Sequence, residues 1–562
     1  MSGAETLKAD SHGLRGDIAQ EIATKPWGGI SEASYGLLKF HGTYEQFNRD
    51  TATALKQAGE DKEWQFMVRV RAPGGIMTGA QYLALDDVAG RYANGTLRIT
   101  SRQGIQFHGT LIGDLKPQIA AINHALMTTY AACGDVVRNV MTTPVPKRDG
   151  VHARLVADAV MLSEALLPTS RAYYQIFLDE PADLDAPPPE EPVYGATYLP
   201  RKFKIGIATP DDNTIDVLSQ DLGFIAVFEG DRLVGYQVSV GGGQGMTHNK
   251  PRTYPRVADI IGFVEPDQLW AATIAVITLQ KDHGDRTDRR RARLKYVVDD
   301  HGVDWVRTEL TTTYGLALQA ARVIPPLQVP EVLGWHEQGD GQLWLGVPVP
   351  SGRIEGALRT ALREAVRRFA IDPVFTAQQD VLLTNVAAVD RDALQALLSG
   401  YGVVLNEALS PVSRWTLACP ALPTCGLALT EAERVRGPII ADVEAALARH
   451  GLMDERISLR ITGCPNGCVR PYGGDIGLVG RIPGQYALFV GGDFAGTRLS
   501  FKLIEKLPMA AIGATLDPLL AAFANQRQGD EGFGDFCTRM GPDRLLPMLP
   551  AVMVQMQAAA AE

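Results

Sequence analysis

Residues 64–75 read WQFMVRVRAPGG, and residues 341–352 read GQLWLGVPVPSG. Each stretch has the length and apolar pattern of a strand and then breaks at a glycine turn. The same succession of elements comes after both turns. After the first, TGAQYLALDDVAGRYA (78–93) has apolar residues at helical spacing, TLRITSRQGIQFHGTL (96–111) alternates like a strand, and LKPQIAAINHALMTTYA (115–131) returns to a helical period. After the second, EGALRTALREAVRRFA (355–370), PVFTAQQDVLLTNV (373–386) and RDALQALLSGYG (391–402) repeat helix, strand and helix. Gly75 precedes Gly352 by 277 residues and Gln103 precedes Gln379 by 276, so the register holds within one residue. A second duplication sets GYQVSVGGG (235–243) against YALFVGG (486–492), with Gly241 and Gly491 250 residues apart and a helix expected after each. The fold class this implies is α+β. Duplicated α+β units pack across a pseudo-twofold axis, where a ligand is contacted by both copies.

The copies differ in charge. The first carries Arg69, Arg71, Arg98, Arg102 and His108 in or beside its strands, where the second has Gly346, Pro348, Val374, Gln378 and Thr384. One copy reads as an anion holder and the other as scaffold. Two further basic spots lie beyond the first copy, Arg138 in DVVRNV and the cluster Arg201, Lys202 and Lys204 in YLPRKFK. They stand out because the chain as a whole carries a net charge of −10, which argues against a general binder of nucleic acid or membrane surface. The run RTDRRRARLK (286–295) is interrupted by Asp288 and lacks interleaved aromatics, so a solvated helix face or contact with an anionic ligand is expected there rather than nucleic acid. The triple glycine 241–243 lacks the spacing of a phosphate loop and is read as permitting close approach of the backbone to a ligand.

Four of the six cysteines fall into two pairs, Cys419/Cys425 in CPALPTC and Cys464/Cys468 in CPNGC, separated by thirty-nine residues. Four thiolates from two loops suit a [4Fe–4S] cluster, in which each iron needs one soft anionic ligand. A structural zinc site is the alternative, although it favours two to four intervening residues and the first pair has five. Cys133 and Cys537 read as small buried apolar residues. Six cysteines in 562 residues give no disulfide scaffold, which fits a reducing, cytoplasmic setting. The N-terminus is polar and charged with no leader pattern. The C-terminal LLPMLPAVMVQMQAAAA (545–561) is broken by prolines and reads as a packed final helix rather than a membrane span. APPPEEP (186–192) reads as a local loop.

In order along the chain, LRITSRQGIQFHG, VVRNV, YLPRKFK, VGGG, CPALPTC and CPNGC resemble the sulfite/nitrite reductase family, which joins a [4Fe–4S] cluster to sirohaem. LRGDIAQ, KFHGTYEQFNRD, GDRTDRR and DEGFGDF bring the likeness nearest to the haemoprotein branch coupled to NADPH. The resemblance runs from about Leu14 to Asp535. It implies two ferredoxin-like half-domains (64–130 and 340–404) forming one pseudo-twofold domain. It also implies two related α/β domains around the cofactors, one for sirohaem and sulfite (131–339) and one for the cluster and sirohaem (405–562). Residues 1–63 are expected as an extended arm that docks a partner.

By resemblance, Cys419, Cys425, Cys464 and Cys468 hold the cluster and Cys468 also bridges to the sirohaem iron. Arg69, Arg138, Lys202 and Lys204 surround the bound sulfite, with the lysines the better proton donors because arginine does not give up its proton. Arg98, Arg102 and Arg201 match positions expected to pair the macrocycle's carboxylates, and Gln106, His108 and Asn466 match neighbouring cofactor contacts. Arg286 and Lys295 resemble further family positions. The implied reaction is the six-electron reduction of sulfite to sulfide in sulfate assimilation and cysteine biosynthesis. No nicotinamide or flavin signature stands in the sequence, so a flavoprotein subunit carrying FAD and FMN is the implied source of electrons from NADPH. A ferredoxin-coupled sulfite or nitrite reductase, or a non-catalytic iron–sulfur or zinc scaffold, remain the competing readings. Val469, beside Cys468, departs from the small residue that relatives carry there.

Overall fold

The computed structural model describes residues 2–183 and 187–551. It divides into two compact units. The first runs from the N-terminus to Gly242 and includes Ala258–Pro326 and Pro330–Val403; the second comprises Gly243–Val257, Leu327–Val329 and the chain from Val404. Helices and mixed sheets occur in both, so the α+β class stands.

The first duplication is built as two antiparallel sheets of identical order in the first unit. One runs Thr43–Phe47, Trp64–Val70, Ile105–Thr110, Leu97–Ile99 and is extended by Arg353–Ile354; the other runs Gly334–Glu337, Gln342–Val347, Val381–Ala387, Asp372–Phe375. The stretches 96–111 and 373–386, expected as single strands, are each two strands joined by a tight turn. Gln103 and Gln379 explain the break, since both sit in left-handed backbone (φ 60° and 71°) that no continuous strand accommodates. The amphipathic helices Gly79–Tyr92 and Gly356–Phe369 cover the sheets, the first opened by a Thr78–Gln81 capping box.

The copies clasp each other reciprocally. Arg353 of the second pairs with Arg98 of the first, and at the equivalent places Ile76 of the first bridges Val374 of the second. A Cβ on Gly75 would stand 2.0 Å from the carbonyl oxygen of Phe375, and one on Gly352 would stand 2.3 Å from that of Ile99. Both glycines also hold left-handed φ, so the turns demand glycine twice over.

The second duplication gives two five-stranded sheets, one in each unit, again with identical order. Met141–Thr142, Ile205–Ala208 and Leu222–Glu229 run parallel, followed antiparallel by Arg232–Val240 and Asp259–Val264. In the second unit the same pattern is Thr416–Ala418, Leu459–Thr462, Ile476–Ile482, Gln485–Val490 and Phe501–Pro508. A strand therefore intervenes between each glycine motif and the helix expected after it, Leu269–His283 or Ile512–Gln526. Gly242 is needed by the fold itself, because a Cβ there would lie 2.3 Å from the Leu218 carbonyl oxygen.

Residues before Trp64 do not form an extended arm. Short helices at Gly3–Ala9, Ile18–Thr24 and Glu32–Leu38 pack with Leu14, Ile18, Leu37 and Leu38 fully buried, and Thr43–Phe47 is the edge strand of the first sheet. Glu5 and Lys8 are buried as a pair 2.6 Å apart, with Lys8 Nζ also donating to the Leu199 carbonyl at 2.8 Å. The run 286–295 is irregular chain until a helix begins at Leu294, so it is not a solvated helix face. Of the C-terminal stretch, the described part forms a short helix at Pro542–Leu545 and one turn at Leu546–Met548; residues 552–561 lie outside the described residues, as does Ala186 of the proline-rich loop. Among the described residues no helix is long and apolar enough to cross a membrane.

Candidate cofactor and anion sites

In the first unit the strand pattern sets a row of polar side chains across one sheet face. Arg69 pairs in register with Gln106, and Gln106 with Arg98, so the three stand side by side; His108 lies two residues along on the same face. With its amide oxygen turned to the guanidinium, Gln106 accepts from Arg69 Nη2 at 2.5 Å and Nε at 3.2 Å. Arg69 Nη1 also donates to Cys133 Sγ at 3.0 Å, and its guanidinium lies 5.8 Å from the Tyr44 ring. Neither Cys133 nor Tyr44 was singled out by sequence; Cys133, read as a small apolar residue, is buried but polar in its contacts. Arg71, two residues on, is no anion holder. It is spent on the carbonyls of Ala131, Val137 and Ser163, and burial brings its pKa down to about 10.

Arg138, Lys202 and Lys204 come together because two short segments run parallel there. Val137 bridges Phe203, and both are fully buried. Side chains alternate along extended chain, which puts Arg138, Lys202 and Lys204 on the face opposite those two. Arg138 N–H donates to the Phe203 carbonyl at 3.0 Å and fixes the register. Each lysine keeps some accessible surface, yet most of its surroundings are protein. Burial drives Lys202 well below the ordinary lysine range, reinforced by Arg138, Arg201 and Lys204. Lys204 is driven down likewise by burial, then Arg293 and Arg102, and is opposed by Asp221. Arg201 falls to about 10, first through burial. Arg102 donates to Gln220 Oε1 and to the Asn139 carbonyl, both at 2.6 Å.

His108 fits a missing polar group. It is 1% exposed, and neither ring nitrogen has a partner within the protein. Burial, then Arg353, Arg98 and Arg69, hold it neutral. A buried imidazole without a hydrogen bond costs about 1–3 kcal/mol, which an anionic ligand or its water would relieve. The arginine-lined face and this orphan suit a carboxylate-rich macrocycle.

In the second unit the two cysteine loops leave the same edge of the sheet. Thr416–Ala418 ends at Cys419 and the parallel neighbour Leu459–Thr462 ends just before Cys464, so parallel pairing delivers both loops together. Gly463 N–H donates to Cys419 Sγ at 3.3 Å, and Gly463 itself accepts from Leu429 N–H at 2.8 Å, tying one loop to the other. Cys419 and Cys464 are buried, Cys425 is half-buried and Cys468 is exposed. The four thiols feel one another: burial and then Cys468 push Cys464 up to about 12, and burial with Cys468, Cys464 and Cys425 raises Cys419 further. Among the described residues no three His, Cys, Asp or Glu side chains close on a point where one metal ion would sit. Tetrahedral zinc needs sulfurs about 3.8 Å apart, from Zn–S bonds of about 2.3 Å. A cluster is wider, because each of four thiolates caps a different iron. Asn466, between the two cysteines of the second pair, packs its backbone against Gly245, where a Cβ would stand 2.9 Å from the Asn466 carbonyl oxygen. Val469 points away into the apolar core of this unit, 1% exposed.

The sequence matches the model of the nitrite and sulphite reductase 4Fe-4S domain over residues 133–317. It matches that of the nitrite/sulfite reductase ferredoxin-like half domain twice, over 57–125 and 336–401. A protein of Myxococcus xanthus named sulfite reductase [NADPH] hemoprotein beta-component is 46% identical over 96% of this chain and 97% of its own length. The chain belongs to the nitrite and sulfite reductase family. Proteins of the same name from Xanthomonas oryzae pv. oryzae and Xylella fastidiosa share 45% and 44% identity over 96% and 97% of this chain, and the same shares of their own lengths. The structure of the Mycobacterium tuberculosis NirA protein superposes with a TM-score of 0.79 at 23% identity, covering 96% of this chain and 95% of that one, so this reductase shares its fold. The family is one of redox enzymes, which removes the non-catalytic scaffold as a reading.

Proposed function

We propose that this chain reduces sulfite to sulfide, as the haemoprotein subunit of an NADPH-dependent assimilatory sulfite reductase acting in sulfate assimilation and cysteine biosynthesis. The observation that carries the reading is the enclosed group of Arg138, Lys202 and Lys204, in which burial and the neighbouring cations disfavour the charge of both lysines until an anion arrives. When bound, sirohaem and the [4Fe–4S] cluster supply the electron-transfer chemistry and the iron at which sulfite reacts.

Cys419, Cys425, Cys464 and Cys468 would hold the cluster, and Cys468, the exposed one of the four, would be the ligand shared with the sirohaem iron. Arg98, Arg102, Arg201, Gln106, His108 and Asn466 would line the macrocycle. Arg69 and Arg138 bind and orient the dianion, since fixed cations offset the cost of stripping its water. Lys202 and Lys204 deliver protons as oxygen leaves, each from a neutral-leaning amine that an incoming anion makes readier to hold a proton. Residues 64–130 and 340–404 serve as the duplicated frame, 131–339 as the anion and sirohaem domain, and 405–562 as the cluster domain. The electron donor is a flavoprotein partner in the cytoplasm, and residues before Trp64 contribute to its docking surface.

Purified holoprotein given a chemical reductant tests the reading. Sulfite should be consumed to sulfide with higher kcat/KM than nitrite is reduced. A higher value for nitrite would favour the nitrite-reducing relatives instead.

A further inference from the structure

The arginine-rich run Arg286–Lys295 is not an open basic strip. Four of its five arginines are taken by carboxylates of the same unit. Arg286 pairs with Glu5, Arg289 with Asp135 at 2.5 and 2.8 Å, Arg291 with Asp300 at 2.6 Å and Arg293 with Asp221 at 2.8 Å. Two of these carboxylates reach the segments that carry the anion site. Asp135 lies three residues before Arg138, and its carbonyl accepts from Leu199 N–H at 3.0 Å, at the start of the stretch bearing Lys202 and Lys204. Asp221 is the more direct. Its Oδ2 accepts the backbone N–H of Lys204 at 3.0 Å, while both of its oxygens receive Arg293 Nη2 at 2.8 Å. Arg293 Nη2 also reaches the Gly242 carbonyl at 3.3 Å. The pair is sealed: Asp221 is 0% and Arg293 5% exposed.

We propose that Asp221, clamped by Arg293, is a positioning residue for Lys204, fixing its backbone at the anion site and supplying the negative charge that faces it. This rests on the reading of Lys204 as a proton donor. A carboxylate is costly to bury, and here Arg293 and the Lys204 N–H offset that cost and fix its direction. The charged groups around Lys204 are Arg293, Arg102, Arg138, Lys202 and Asp221. Four of the five are cations, and Asp221 alone among them favours the ammonium form. Arg293 spends its charge on Asp221, so the clamp both orients the carboxylate and reduces its effect to a measured amount.

The test uses holoenzyme carrying Asp221→Asn, which keeps the shape and one acceptor but not the charge. Sulfite turnover with a chemical donor is followed across pH, with sirohaem absorbance, melting temperature and amide hydrogen exchange of the peptide holding Lys204. We expect the absorbance to remain and kcat to fall about tenfold with a smaller change in KM. The alkaline limb should move to lower pH, because losing the carboxylate lowers the pH at which Lys204 gives up its proton. The Lys204 peptide should exchange faster. Arg293→Lys, which keeps the charge but loses the fork, should likewise lower kcat and speed exchange of the Lys204 peptide, and covers the case in which Asp221→Asn fails to fold. An unmoved pH profile with only a lower melting temperature would overturn the proposal, as would loss of the sirohaem bands in both variants. Lys204→Met, run alongside, separates the two levels. Wild-type turnover there overturns the role of Lys204 and this inference with it, whereas a fall there beside an unmoved profile in Asp221→Asn overturns this inference alone.

Discussion

Cys468 differs from its three companions in standing exposed, as its proposed role as a ligand shared between two metal centres requires. Cys468→Ser should abolish sulfite turnover while the protein stays folded, because serine offers a harder oxygen where soft iron sites call for sulfur. Full turnover with an intact sirohaem spectrum would overturn the shared-ligand role. A second expectation at this scale concerns His41. It is fully buried among Tyr130, Tyr173 and Phe177, with Nε2 bonded to the Leu14 carbonyl at 2.9 Å. Burial lowers its pKa from 6.5 to about 4. Between those values the unfolded chain takes up a proton that the folded chain refuses, so stability is full above pH 6.5 and is lost as pH falls towards 4, by at most about 3 kcal/mol. Denaturant titration should show this slope and show it diminished in His41→Phe; parallel slopes would clear His41. The cysteine pairs and the cation motifs were legible as residues, since their chemistry is written in type and spacing. Arg71 and Cys133 were not. An arginine on a strand reads the same whether it faces a ligand or three carbonyls, and only the packed structure puts a guanidinium against the Cys133 sulfur.

Among elements, the segment before Trp64 changes most between sequence and structure. Its periodic runs are short, so they read as loose chain, yet the edge strand Thr43–Phe47 completes the first sheet and a buried Lys8 sits 3.6 Å from Asp135. Deleting residues before Trp64 should therefore depress sulfite turnover with a chemical donor as well as with a flavoprotein, and lower the melting temperature. Full activity with the chemical donor after truncation would show instead that the segment is docking surface alone. The broken strands at 96–111 and 373–386 teach a related point. Alternation fixes which residues share a face but is blind to a reversal of direction, and here the reversal depends on Gln103 and Gln379 adopting a backbone that glycine would have announced.

At the scale of the whole molecule, both duplications were visible as echoes of a few glycines and apolar runs. That the echoes meant four sheets in two matched pairs was not, because strand order is set by long-range pairing. The second copy also shows how a vacated site is closed. Trp344, at the position equivalent to Met67, packs with Val145, Val332, Val374 and Leu382 into a small apolar core where the first copy bears Arg98 and Gln106. In the 562 residues no nicotinamide or flavin signature appears, so the isolated chain should leave NADPH unoxidised and reduce sulfite with it once a flavoprotein carrying FAD and FMN is added; NADPH oxidation by the chain alone would overturn the two-subunit reading. The reciprocal clasp of Gly75 on Phe375 and Gly352 on Ile99 has a consequence for inheritance. Neither copy can be trimmed, lost or replaced separately, since each supplies the last rung of the other's ladder. A lineage that dismantled the idle half would dismantle the working half too, so a copy relieved of its chemistry is kept as a hostage to the architecture.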